Sequence, residues 1–287
     1  MIYDFTRYLA AKKTVDDRAL NAHVWQTLKH RLPPNPKILE IGAGIGTMIE
    51  RLVEREFISS ANYAAIDNQP ENMAAAQQRL AHLPAAIDLT LEAIDLFDFI
   101  QREQGLPQWD VLIAHAFLDL MDIPATLPQL FSLLKPGGLF YFSINFDGVT
   151  TLEPTIDPDL DEKIEQLYHQ TMDDRLTDGK LSGDSRSGRH LFTHLRQAGA
   201  QILAAGGSDW VVFANSDEHA AEGYPADEKY FLQFIVETMR RALAGHPALD
   251  KAQFEEWVAQ RQAQIEAGEL VYIAHQLDFV GKLSGSG

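Results

Sequence analysis

Apolar residues recur along the chain in short runs separated by stretches of helical spacing. Ile38, Leu39 and Ile41 form one run of strand length, and Tyr63–Asp67, Ile87–Ile94, Trp109–Phe117 and Leu139–Ile144 form four more. Between them lie helical patterns over Thr47–Glu56, with Met48, Ile49, Leu52 and Val53 on one side, over 70–82, and over Leu118–Leu134. Strands that alternate with helices predict a parallel sheet covered on both faces. Ahead of the first strand, residues 3–32 read as two short helices. Thr14 and Asp17 have the spacing of a capping box in front of Val15, Ala19, Leu20, Val24 and Leu28. Pro33, Pro34 and Pro36 then stop any helix.

The second half is less regular. Residues 147–186 are rich in acids, with a helical stretch near Asp159–Arg175, and read as an insertion. Arg189–Gly199 reads as a helix, and Gln201–Ala205 and Trp210–Phe213 as strand pieces broken at Gly206-Gly207-Ser208. Asp227–Leu243 and Asp250–Ala267 read as two amphipathic helices, and Leu270–Val280 as a final strand. That division gives a helical cap over 1–36, a domain over 37–281 with insertions near 147–186 and 222–268, and a flexible tail over 282–287. The competing reading makes Trp210–Phe213 the last strand.

The chemistry begins where the first strand ends. Lys37-Ile38-Leu39-Glu40-Ile41-Gly42-Ala43-Gly44-Ile45-Gly46-Thr47 runs from a buried strand through three glycines into a helix. Such a turn leaves backbone N–H groups free at a helix N-terminus, and glycine lets a ligand approach the backbone closely. Asp67 ends the second strand about 20 residues further on, where nucleotide-binding α/β units place a ribose-binding carboxylate. A helix cap is the alternative role, because Asn68-Gln69-Pro70-Glu71 opens the next helix. Asp95 ends the third strand and has the same alternative.

The E-x-G-x-G-x-G run resembles motif I of the class I S-adenosylmethionine (SAM)-dependent methyltransferases. Trp109–Phe117 resembles the family's motif IV, and Leu133-Leu134-Lys135-Pro136-Gly137-Gly138 its turn into the fifth strand. The matches cover about residues 37–146. The resemblance implies a Rossmann-like α/β fold: a seven-stranded, mostly parallel sheet with an antiparallel last strand, plus helical lid insertions. It implies SAM as cofactor and S-adenosylhomocysteine (SAH) as product. Glu40, Gly42, Ala43, Gly44 and Gly46 would line the methionine moiety and ribose. Asp67 and Asn68 would hold the ribose, and Asp95 and Leu96 the adenine. His115 would border the cofactor. It is also a candidate general base, with Asn145 and Asp147 beside the acceptor.

Composition narrows the partners. The chain has 287 residues and a formal charge of -17, which repels phosphate backbones and argues against nucleic acid. The D/N-P-P-Y/F run of nucleic-acid amino methyltransferases is absent from the sequence. Cysteine is absent too, so disulfides and thiolate metal sites are excluded. Met1–Phe5 lacks a signal pattern and no apolar run reaches membrane length, so no membrane association and a cytoplasmic location are expected. A small-molecule acceptor is the expected partner, and the late helices leave a homodimer open.

Candidate substrate contacts are Tyr8 and Arg18 from the cap, Arg186 and Arg189 from a Gly/Ser/Asp-rich loop, and Trp210. Each has a plain structural alternative, a solvated charge or an apolar wall. His190 and His194 share a helical face but lack a third ligand and the zinc-protease glutamate, so no metal is expected. Three other functions fit the same motifs: SAM binding without turnover, methylation of a protein, and nicotinamide-dependent oxidoreduction.

Overall fold

A computed structural model describes residues 4–103, 106–177, 179–215 and 223–284. The chain opens with α1 (Phe5–Ala19) and α2 (Ala22–Arg31). Then strands and helices alternate as β1 (Lys37–Ile41), α3 (Thr47–Glu54), β2 (Ala61–Asp67), α4 (Pro70–Arg79), β3 (Ile87–Ala93), α5 (Leu96–Glu103) and β4 (Trp109–His115). A short 3-10 turn at Leu118–Leu120 leads to α6 (Ile123–Phe131) and the long β5 (Leu134–Glu153). Next come α7 (Pro158–Asp173), the small hairpin β6 (Leu176–Thr177) and β7 (Lys180–Leu181), and α8 (Ser187–Gln197). The chain closes with β8 (Ala200–Gly207), β9 (Trp210–Val212), α9 (Glu228–Ala242), α10 (Lys251–Ala267) and β10 (Val271–Leu283).

The sheet order is β3-β2-β1-β4-β5-β10-β8. β1 runs parallel to β2 and β4, and the two flanking pairs are parallel as well. β10 is antiparallel to β5 and β8. The expected α/β fold with its antiparallel last strand is therefore present, and the C-terminal stretch supplies that strand. β9 adds an eighth strand along the free part of β10. Strand order reverses between β1 and β4, which opens a crevice beyond their carboxyl ends. Two apolar cores flank the sheet. One packs under α1 to α4 and the late helices, the other under α5, α6 and α8.

Three local expectations change. The proposed capping box at Thr14 lies inside α1. Asp4 is the actual cap, accepting from Thr6 N at 2.8 Å and Arg7 N at 3.2 Å. Thr14 instead donates its hydroxyl to Glu228 of α9 at 2.7 Å, so tertiary contact rather than capping explains the residue. The acid-rich stretch from 147 is not yet insertion: β5 continues to Glu153, because Thr150–Glu153 pair with Val271–Ala274. The tail begins later than expected. Lys282 and Leu283 belong to β10, and Ser284 N donates to Gly199 O at 3.2 Å. Residues 285–287 of that tail, 1–3 of the cap and 222 of the second insertion lie outside the described residues.

Candidate active site

The glycine turn forms because only glycine takes its backbone angles easily. Gly42, Gly44 and Gly46 have φ of 62°, 55° and 77°. A Cβ at Gly42 would collide with the Phe117 ring, and one at Gly44 would lie 3.2 Å from Leu9 Cδ1 of α1. The turn is thus covered from two sides, leaving a cradle that a side chain would fill. Asp67, at the end of the neighbouring β2, braces it: Gly44 N donates to Asp67 Oδ2 at 2.9 Å. The other oxygen accepts from Gln69 N at 2.9 Å and Asn72 Nδ2 at 3.1 Å. Asp67 therefore performs the capping role and lines the cavity at once.

That cavity is a cleft of about 830 Å³ between the carboxyl ends of β1, β2 and β4 and the inner face of α1. Glu40, Gly42, Ala43, Gly44, Asp67, Asn68 and His115 all border it, as sequence spacing predicts. Gly46 does not, and its role is packing, since a Cβ there would sit 2.6 Å from Leu80 Cδ1. A narrower recess of about 60 Å³ continues past Gly42 and Asp67, walled by Ile94, Asp95, Leu96, Phe97 and Phe117. Asp95 also caps α5, accepting from Phe97 N at 2.8 Å. A small recess walled by Ile94, Leu96, Phe97 and Phe117 beside a larger cleft suits an adenosine-bearing group, so the residues present fit the cofactor implied by the motifs.

α1 forms the roof. Its inner face carries Tyr8, Ala11, Lys12, Val15 and Asp16, spaced by three and four residues. It is pinned by α9: Tyr8 stacks on Phe234 with ring centroids 4.0 Å apart and on Phe231 at 5.7 Å. Arg18 forks onto the fully buried Glu228 at 2.6 and 2.8 Å. Arg18 is therefore a clamp between helices and does not reach the cleft.

Asp16 is the centre of a charged network that sequence reading missed. Its Oδ2 accepts from Lys12 Nζ at 2.8 Å, His115 Nε2 at 2.9 Å and Arg51 Nη2 at 3.3 Å. Its Oδ1 accepts from Trp210 Nε1 at 2.9 Å. Burial alone would raise the Asp16 carboxyl, but Lys12, His115 and Arg51 outweigh it and hold the group well below the usual carboxylate range. The available signal was Lys12 and Asp16, four apart on the same stripe as Tyr8 and Val15.

Glu40 shows the opposite behaviour. It is buried with one donor, Tyr63 Oη at 2.7 Å, and burial pushes it up to about 7. His115 is lowered to about 4 by burial, against the pull of Asp16. Its Nδ1 takes the Ser143 hydroxyl at 2.8 Å, so both ring nitrogens are engaged. Such a group is an orienting element and not a base poised near neutral pH.

Asn145 and Asp147 do not border the cleft. They sit on β5, where Asn145 Nδ2 donates to Leu277 O at 2.8 Å. Asp147 Oδ1 accepts from Arg189 N at 2.7 Å and Arg189 Nε at 2.8 Å. β5 runs on past the sheet's carboxyl edge and carries both residues beyond the crevice. Arg189 is thereby occupied, and Arg186 packs beside Gly148, away from the cleft. Of the expected acceptor contacts, Tyr8 and Trp210 remain. His190 Nδ1 is taken by Asp184 Oδ2 at 2.6 Å.

Asp119, also unanticipated, borders the cleft, and its Oδ1 is buried without a hydrogen-bond partner among the described residues. Burial raises its carboxyl, against the opposing pull of Arg175.

Residues 39–140 match the family model of a methyltransferase domain. No curated protein matches the chain. Among solved structures, the chain is similar to the cyclopropane synthase MmaA2 from Mycobacterium tuberculosis at 10% identity. That match covers 98% of this chain and 99% of that one, with a TM-score of 0.47. It is also similar to a protein assigned as a sarcosine dimethylglycine methyltransferase from Galdieria sulphuraria, at 15% identity, 94% and 86% coverage and a TM-score of 0.47. A third is YjhP from E. coli, at 16% identity, 94% and 98% coverage and a TM-score of 0.47. The matched segment runs from β1 into β5 and contains the glycine turn, Asp67 and Asp95. Residues 39–140 of the chain are therefore similar to a methyltransferase domain, in agreement with the resemblance that the glycine turn carries.

Proposed function

We propose that the protein transfers a methyl group from SAM to a nucleophile of a small molecule held in the cleft under α1. The observation that carries this reading is the Gly44–Asp67 bridge at the mouth of a roofed cleft of about 830 Å³. That volume lies in the upper part of the roughly 300–1,000 Å³ range of small-molecule sites. It suits a cofactor and a small acceptor together, and the α1 roof speaks against a polymer threading through.

SAM supplies an activated methyl on a good leaving group. The chain's own contribution is placement and exclusion of water. Asp67 offers its remaining lone pairs to the ribose hydroxyls. Asp95, Leu96 and Phe117 wall the adenine recess, and Glu40 with Gly42 and Ala43 borders the methionine end. Asp16 fixes Lys12, His115 and Trp210 in one arrangement, so the roof and floor of the cleft are coupled. A small-molecule acceptor is supported by the enclosure and by the acidic charge of the chain.

Calorimetry with SAH, followed by an SAH-release assay across candidate acceptors, tests the reading. Micromolar SAH binding and turnover with a small acceptor are expected. Turnover only with peptides, binding without any turnover, or binding of a nicotinamide cofactor instead would each replace it with one of the alternatives.

A further inference from the structure

A ligand that carries a carboxylate has few places to put it in this cleft. Lys12 is the only lysine or arginine that borders it among the described residues, against Asp4, Asp16, Glu40, Asp67, Glu71 and Asp119. His115 borders it as well, but burial lowers it to about 4 and leaves it uncharged at neutral pH. Free N–H groups at a glycine turn are a common anion seat. Here Ala43 N donates to Ile66 O at 3.0 Å, Gly44 N to Asp67 Oδ2 at 2.9 Å and Gly46 N to Ala43 O at 2.9 Å. These amides are engaged inside the chain, and the Asp67 carboxylate beside them repels a negative group.

Lys12 is incompletely satisfied by its own ion pair. It is 6% exposed, and an ammonium has three N–H donors. Among the described residues, Nζ has one hydrogen-bond acceptor, Asp16 Oδ2 at 2.8 Å, and the Trp210 ring lies 5.3 Å away. Asp16, by contrast, takes four donors, from Lys12, His115, Arg51 and Trp210. Two buried cations thus share its charge, because Arg51 is fully buried and reaches it at 3.3 Å. The second acid on Arg51, Asp17, is itself shared with Lys13 and Arg55. Burial pulls the Lys12 ammonium down in spite of Asp16, so its charged form lacks partners. A buried ammonium with donors left over is unfavourable until a ligand completes it.

Resting on the methyl-transfer reading, we propose that Lys12 holds the carboxylate of the cofactor's amino-acid end, and that α1 reads the cofactor through this contact. The carboxylate takes the donors that Asp16 leaves over and neutralises the surplus cation. Lys12 lies on the same face of α1 as Tyr8 and Asp16. Asp16 in turn bonds His115 at the end of β4 and Trp210 on β9. Binding of the cofactor therefore tightens the roof against the floor of the cleft. A ligand with the same adenosine and thioether but no carboxylate occupies the cleft without engaging the roof.

The test uses the full chain and two ligands: SAH and S-adenosyl-3-thiopropylamine, which is SAH without its carboxylate. Calorimetry on the wild type is expected to show SAH binding at least about tenfold tighter than the decarboxylated ligand. Lys12→Met keeps most of the side-chain length and leaves Asp16 its other donors. It is expected to bring the two ligands within about twofold of each other, by weakening SAH and sparing the decarboxylated ligand. Lys12→Arg is expected to restore part of the gap. A second readout needs no variant. Amide hydrogen exchange over α1 of the wild type is expected to slow severalfold at saturating SAH and far less at saturating decarboxylated ligand. Failure of both ligands to bind the wild type would remove the methyltransferase reading itself. With SAH bound, equal affinity of the two ligands or equal protection of α1 would overturn the assignment to Lys12. So would a gap that survives in folded Lys12→Met, which would place the carboxylate at the N-terminus of α3 instead.

Discussion

The two ends of the cleft are built in different ways. The glycine-turn end comes from one local unit, in which β1, the turn, α3 and β2 place Glu40, Gly44 and Asp67 within a short stretch of chain. The other end is assembled from Tyr8, Asp119 and Trp210, which come from three separate elements. Their buried carboxylates differ as well. Asp16, between the two ends, has four donors and stays ionised. Glu40, with a single donor, is pushed up to about 7. Burial is similar in both, so the number of donors and cations decides which carboxylate keeps its charge.

Removing that difference at Asp16 has the largest expected effect. Asp16→Ala leaves Lys12 and part of Arg51 buried without their shared counter-charge. About 3–5 kcal/mol of stability is expected to be lost in urea denaturation. A loss below about 1 kcal/mol would mean that the roof of the cleft is held by the α9 contacts alone.

Gly42→Ala attacks the cofactor end. The added methyl meets the Phe117 ring at a backbone angle that disfavours it. A loss of about 1–3 kcal/mol is expected, with SAH affinity weakened by at least about tenfold. Unchanged SAH affinity in a folded variant would show that the turn does not face the cofactor.

These two sites also show what the sequence makes legible. The glycine turn could be read directly, because a strand, a backbone requirement and an acid lie consecutively. The order of the first five strands followed from apolar runs. Asp16 was not legible, because its importance comes from partners far along the chain, such as Trp210. Asn145 and Asp147 were misplaced beside the acceptor because proximity to a strand end was inferred without knowing that β5 runs on to Glu153. Thr14 misled for a similar reason, its partner Glu228 being 214 residues away.

Glu40→Gln gives a smaller, pH-dependent effect. The Glu40 carboxyl rises from 4.5 to about 7 on folding. A raised pKa means that the folded state binds the proton more tightly. Its contribution to stability is therefore fully present below 4.5 and is lost as pH rises through about 7. The wild type is expected to lose stability relative to Glu40→Gln across that window, by at most about 1.4 kcal/mol per pH unit. His115, lowered to about 4, contributes with the opposite sign at acid pH in both proteins and cancels in the difference. Parallel pH profiles for the two proteins would contradict the shift.

The smallest effect is expected at Asp147→Asn. The pair with the half-exposed Arg189 is weakened, costing about 1 kcal/mol or less. Steady-state kcat/KM is expected to stay within about twofold of wild type, a change of about 0.4 kcal/mol. A loss of a hundredfold at intact stability would return Asp147 to the reacting groups and require β5 to move toward the cleft.

The most direct measurement is calorimetric titration of SAH into wild type and Asp67→Ala. Micromolar binding that weakens by about tenfold or more in the variant, about 1.4 kcal/mol, is the predicted result. No binding to wild type, or equal binding to both, would contradict the assignment of the Gly44–Asp67 bridge as the cofactor's seat.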